Sequence, residues 1–190
     1  AVIVGASLAL CGCVATPKSG TTHALLSPEN LPKWQLTQGY ESRPAWEWRE
    51  GGYAGDSSCI AYPQCFTNFV LECEVLFQGK SEGGIQLRSD AAAARGWEVG
   101  YELDIDWARD RQHGHIHFPV KPQPYCGEAL FSVGEWHSVA VTANGPKVVV
   151  ALDGQRVLQF EDAEYASGQI CLQGEKDGVL YRNLTVTELR

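Results

Sequence analysis

The chain has no methionine among its 190 residues, and it is short of positive charge, with 15 lysines and arginines against 23 acidic residues. A net charge of −8 argues against nucleic acid as a partner and against charge-driven binding to an anionic membrane surface. There is no C-x-x-C pair, which excludes a zinc ribbon and a thioredoxin-type redox centre. No G-x-S-x-G, P-loop or G-x-G-x-x-G occurs, so a nucleophile-elbow hydrolase and a nucleotide cofactor are also set aside. Long apolar runs are missing too. The longest, AVIVGASLAL at the start, is too short to cross a membrane as a helix.

That run fits the apolar stretch of a signal peptide, and Leu10-Cys11-Gly12-Cys13 resembles a bacterial lipobox. The reading is a partial lipoprotein signal peptide over 1–13 with Cys13 lipidated, a tether over 14–28 and one folded domain over 29–190. A buried first strand is the other reading of the same run. On the first, the protein is an exported bacterial lipoprotein, periplasm-facing or on the cell surface, touching membrane only through its anchor. Five cysteines then remain, of which Cys59 and Cys65 share a loop and could pair in an oxidising compartment. Cys73 and Cys171 lie inside strand-like runs and read as buried free thiols. His23 falls in the tether and reads as idle.

What the chain does have is β pattern. FVLECEVLF (69–77), GIQLR (84–88), WEVGYELDID (97–106), HGHIHF (113–118), WHSVAVT (136–142) and KVVVAL (147–152) are alternating or β-rich. Asp153-Gly154 suits a type I′ hairpin turn. Many short strands with tight turns predict an all-β, two-sheet antiparallel jelly roll of the lectin-like, concanavalin A-like kind. Only Ala91 to Arg95 offers a helical turn.

Parity then separates two faces. Ile85, Leu87, Tyr101, Leu103, Ile105, Ile116 and Phe118 point one way. Gln86 and Arg88, Glu98, Glu102, Asp104 and Asp106, and His113, His115 and His117 point the other. A polar solvent face is ordinary for an antiparallel sheet, but one this rich in imidazole and carboxylate suggests a site. Arg88, Glu102, Asp104 and two histidines are expected in one open groove.

Three uses of that face stand open. Alternate strand residues lie about 6.5–7 Å apart, so His113 and His117 are about 13 Å apart and cannot grip one ion together. An adjacent pair such as His115 and His117, with Glu102, could hold Zn, Mn or Co. A histidine beside carboxylates could instead perform acid–base work, with Arg88 stabilising an oxyanion. The third use is none. His137 has core parity and reads as structural, and tryptophans such as Trp46, Trp48, Trp97 and Trp107 could stack on sugars or fill the core.

Seven motifs in order carry a resemblance. Phe69-Val70-Leu71-Glu72 resembles "dFeL", Gly83-Gly84-Ile85-Gln86-Leu87-Arg88 resembles "NSGiflR", and Gly100-Tyr101-Glu102-Leu103-Asp104-Ile105-Asp106 resembles "GyEvqilD". Gly134-Glu135-Trp136-His137 is similar to "geWN", Leu152-Asp153-Gly154 to "lNG", Gly168-Gln169-Ile170-Cys171-Leu172-Gln173 to "GxIgLQ", and Tyr181-Arg182-Asn183-Leu184 to "FRNI". From about Trp34 to Leu189 the chain thus resembles the 3-keto-disaccharide hydrolase domain family. The "LQdHG" of that family stands here as Leu172-Gln173-Gly174-Glu175, without its histidine.

The resemblance implies a jelly roll acting on glycosides already oxidised at C3 by a partner sugar 3-dehydrogenase. It implies catalytic roles for Glu102, His115, Arg88 and Asp104, and substrate contacts from Gln86, Glu98, Trp107 and Gln173. A non-catalytic carbohydrate-binding lipoprotein on the same fold is the alternative.

Overall fold

A computed structural model describes residues 19–79, 82–92, 99–106, 112–117, 132–175 and 178–190, with the backbone alone at 19, 106 and 112–117. The alternating runs become strands. The first four are β1 (Ser19–Ala24), β2 (Gln35–Leu36), β3 (Glu47–Arg49) and β4 (Gly52–Ala54). Longer ones follow: β5 (Ser58–Phe66), β6 (Phe69–Phe77), β7 (Glu82–Ser89), β8 (Tyr101–Asp106) and β9 (Gln112–His117). The last five are β10 (Trp136–Asn144), β11 (Lys147–Leu152), β12 (Gln155–Glu161), β13 (Gly168–Gly174) and β14 (Val179–Leu189).

They pair into two antiparallel sheets, as the turn spacing predicts. One is ordered β12-β11-β10-β6-β14-β4-β3 with β1 added to β14; the other is β2-β5-β13-β7-β8-β9. No α-helix occurs among the described residues, and none of their helices is long and apolar enough to cross a membrane. The core lies between the sheets. Phe69, Leu71, Cys73, Val75 and Phe77 fill it from β6, and Ile85, Leu87, Tyr101, Leu103 and Ile105 from β7 and β8. Each such side chain contributes about 1.5–3 kcal/mol by leaving water. Cys73 and Cys171 are buried free thiols, as their place inside strand-like runs predicts.

The β10–β11–β12 unit shows how local chemistry sets register. Asp153 and Gly154 have φ of 47° and 75°, the two left-handed residues that a type I′ turn needs, with Leu152 paired to Gln155. Asp153 also caps the neighbouring strand: it accepts from the Ser138 amide (2.8 Å) and from His137 Nδ1 (2.7 Å). The Ser132 amide donates to His137 Nε2 (2.9 Å), which fixes the proton on Nδ1. His137 is therefore buried and structural.

Three expectations need correction. The segment read as tether contributes β1, whose backbone pairs with Thr185 to Leu189, and Leu25 and Leu26 behind it are buried. His23 in that strand is not idle: it meets Glu188 at 2.7 Å and packs on Phe66. Cys59 and Cys65 occupy not a loop but one strand, β5, where they pair with Gln173 and Gln169 of β13. Their partners stand four residues apart on β13, which holds them about 13 Å apart, beyond disulfide reach, and both are free.

Candidate functional site

Register decides which polar side chains meet, because residues directly opposite on neighbouring strands share a face. On the six-stranded sheet, Cys171 stands opposite Gln86, Gln86 opposite Glu102, and Glu102 opposite His117. One step along, Cys59 faces Gln173, Gln173 faces Gly84, Gly84 faces Asp104, and Asp104 faces His115. Two rows of chemistry-bearing positions thus cross the sheet side by side. His113 leaves them: a register shift after Asp104 pairs it with Ile105. Glu98 and Trp107 lie outside the described residues, as does the segment carrying Cys13.

Arg88 does not join the acids. Between Gln86 and Ser89, β7 carries one residue more than β13 does between Cys171 and Gln169, a bulge that includes Arg88 at φ 52°. The extra residue reverses its parity. Its guanidinium is buried at 2% exposure and donates to the carbonyls of Thr67 (2.7 and 3.1 Å), Gly145 (2.9 Å) and Tyr165 (2.9 Å). Those bonds tie three loops to the end of the sheet. They leave the oxyanion role expected of Arg88 without geometric support.

The rest converges on Gly84. A Cβ there would lie 3.0 Å from Glu102 Oε1 and 3.1 Å from Gln173 Oε1, so both side chains bend over the bare backbone from either side. Beneath them, Tyr181 donates from the core to the Gln173 carbonyl at 2.7 Å, with the Gly84 carbonyl at 3.2 Å, fixing the floor. Gln173 Nε2 reaches Glu175 Oε1 and Ser57 Oγ reaches Glu175 Oε2, each at 3.5 Å. The site is enclosed at the back rather than open: Glu102 is 7% and Gln86 1% exposed, while Asp104, Gln173 and Glu175 are partly exposed.

Burial carries the electrostatics. It raises the Glu102 carboxyl from the usual 4.5 to about 7; the nearby Gln86 amide lowers it and the Glu82 carboxylate adds to the rise. Gln86 accepts from Ser89 Oγ at 3.3 Å; its buried Nε2 meets no close hydrogen-bond geometry among the described residues, and the Glu102 carboxyl is the acceptor that its amide acts on. An enclosed carboxyl that titrates near neutrality beside an amide donor can take a proton from a carbon acid, while the amide holds an oxygen of the same ligand.

Sequence reasoning missed Tyr40, Cys59 and Glu175. Glu175 had a signal, since it falls where the resemblance expects a histidine, whereas Tyr40 sits in a loop with no pattern to mark it. Tyr40 packs on a patch of Cys59, Ala61 and Cys171 beside the two rows. Of the tryptophans, Trp46 is buried and donates to Ser58 Oγ (2.8 Å), and Trp48 is exposed at the edge strand β3.

Fold and site together define a lectin-like β-sandwich with an acidic, amide-lined site on one sheet. The chain belongs to the 3-keto-alpha-glucoside-1,2-lyase-like domain family, which it matches over residues 23–187. Solved structures share the fold. A putative glycosyl hydrolase from Parabacteroides distasonis superposes with a TM-score of 0.70 at 15% identity, covering 89% of this chain and 94% of that one. The carbohydrate-binding module CBM66 from Bacillus subtilis gives 0.65 at 19% identity, with 80% and 94% covered. A Bacillus subtilis protein of unknown function with a galectin-like fold gives 0.62 at 11% identity, with 92% and 100% covered. No curated protein sequence matches the chain.

Proposed function

We propose that this protein cleaves glycosides carrying a ketone at C3, releasing the C1 aglycone by elimination and then adding water. Family membership supports a carbohydrate substrate, and the enclosed Glu102 beside the buried amide of Gln86 carries the reading. A C3 ketone acidifies the proton on C2. Glu102 removes that proton, and the charge that moves onto the C3 oxygen is met by the Gln86 amide. Gln173 and Asp104 at the exposed rim orient the ring hydroxyls. The substrate requires a preceding C3 oxidation, the work of a sugar 3-dehydrogenase.

By register Asp104 is opposite His115 and Glu102 opposite His117, and those four residue types would make up a nitrogen-and-oxygen donor set of the kind Zn, Mn or Co takes. With Glu102 as a ligand, His115 would be the base, and the cation would supply Lewis-acid stabilisation of the enediolate. Elemental analysis after loading with each metal separates the two uses: protein that keeps none of them performs acid–base chemistry alone.

A non-catalytic carbohydrate-binding role is the second reading, favoured by the absent histidine of the "LQdHG" motif. Incubation with a 3-keto-glucoside, following aglycone release, decides. Sugar binding with no release above background establishes the second reading and removes the first. Beside either, export as a lipoprotein anchored at Cys13 remains our proposal for where the protein works.

A further inference from the structure

The proposed elimination has a proton donor still to account for. Expelling a sugar from an enolate leaves an alkoxide, a poor leaving group unless its oxygen is protonated as the bond breaks. Glu102 is taking a proton at that moment and cannot give one.

Tyr40 is placed for it by short-range structure. The Thr37 amide donates to the Cys59 carbonyl (2.9 Å), and its hydroxyl donates to the same oxygen (3.3 Å), anchoring the loop to β5. The Tyr40 amide donates to the Thr37 carbonyl (3.1 Å), closing a four-residue turn. Gly39 takes its third position at φ 93°, which the type II geometry reserves for glycine. The Arg43 amide then binds the Tyr40 carbonyl at 2.9 Å. So held, the ring lies on Cys59, Ala61 and Cys171.

Cys171 is opposite Gln86 and Gln86 is opposite Glu102, so the patch under the ring is two strand spacings, about 10 Å, from Glu102. One sugar ring fits that interval. Tyr40 is partly exposed and its phenol makes no hydrogen bond to a described residue, whereas the Glu175 carboxylate is engaged by Ser57 and Gln173.

We propose that Tyr40 is the catalytic acid of this site, protonating the glycosidic oxygen as the C1–O bond breaks; the proposal rests on the 3-keto-glycoside reading. Glu102 takes the C2 proton, the C2–H electron pair passes through the C3 enolate into a C1=C2 bond, and the C1–O pair leaves with the aglycone. The aglycone oxygen receives the phenol proton, giving an alcohol and a phenolate. In the second half the phenolate takes a proton from water, hydroxide adds at C1, and Glu102 returns its proton to C2. Both groups end as they began. Supporting this, partial burial and the charges of Cys59, Glu175 and Glu102 outweigh Arg43 and hold the phenol above its usual 10, so it is protonated at neutral pH.

The test compares the wild type with Tyr40→Phe on two 3-keto-glucosides, one with a methoxide and one with a p-nitrophenolate leaving group. The nitrophenolate departs without a proton. The variant should lose about 100-fold or more in kcat on the methyl glycoside and no more than about 3-fold on the nitrophenyl one. An equal loss on both, as a merely structural defect gives, or no loss on the methyl glycoside overturns the role of Tyr40. Wild-type protein that cleaves neither substrate removes the underlying reading, and Tyr40 with it.

Discussion

Gly84 and Glu102 stand diagonally across adjacent strands, so close that a single added methyl group at Gly84 would lie 3.0 Å from the Glu102 carboxylate. Glycine here keeps open the space in which the carboxylate works, on a backbone held from below by Tyr181. Both obstructed groups, Glu102 and Gln173, are ends of flexible side chains, so the fold can give way while the geometry cannot. Gly84→Ala should cost less than about 1.5 kcal/mol of stability. It should lower kcat/KM on a 3-keto-glycoside by tenfold or more, on the order expected of a misplaced catalytic group. Thermal melts beside initial rates check both halves.

Arg88 should behave in the opposite way. Its four hydrogen bonds to three carbonyls are lost in Arg88→Met, which leaves buried acceptors unpaired and destabilises by on the order of 3 kcal/mol. Assayed at a temperature where the variant is folded, it should retain turnover within a few-fold. Loss of turnover in a fully folded variant would restore the oxyanion role that the bulge argues against.

The contrast between these residues shows what alternation can and cannot carry. The core and polar faces of β7 and β8 were legible because Ile85, Leu103 and their neighbours alternate strictly, and register then brought Gln86 beside Glu102. Arg88 was misplaced because its bulge answers to a neighbouring strand: a Cβ at Gly168 of β13 would lie 2.3 Å from the Arg88 carbonyl carbon. No local pattern encodes such an approach. Likewise SGTTHA has no apolar rhythm and becomes β1 by completing an edge of β14. Tyr40 depends on a turn anchored to a strand some twenty residues on, at Cys59.

Lipidation at Cys13 is separately testable. Fed radiolabelled palmitate, a bacterial host expressing the chain behind an export-competent start should label the protein. Cys13→Ala should abolish the label and Cys11→Ala should leave it. Label that survives Cys13→Ala and is lost in Cys11→Ala moves the anchor; no label in either case removes it.

Glu102 links stability to chemistry. Its carboxyl binds its proton more tightly folded (about 7) than in the ordinary state (4.5), so between those values the native state holds more protons than the unfolded one. Stability therefore falls as pH rises through this window, the reverse of an ion-paired carboxylate such as Glu74, whose partner Arg182 lowers it. At pH 8, Glu102→Gln should be the more stable protein by up to about 3 kcal/mol; below pH 4.5 the difference should vanish. The same substitution should lower kcat by about 100- to 10,000-fold. With chelator present throughout, the kcat/KM of the wild type should rise with pH through about 7 as the base ionises. A flat profile there, or a Gln variant that is inactive yet no more stable at pH 8, would show that Glu102 is not the buried base.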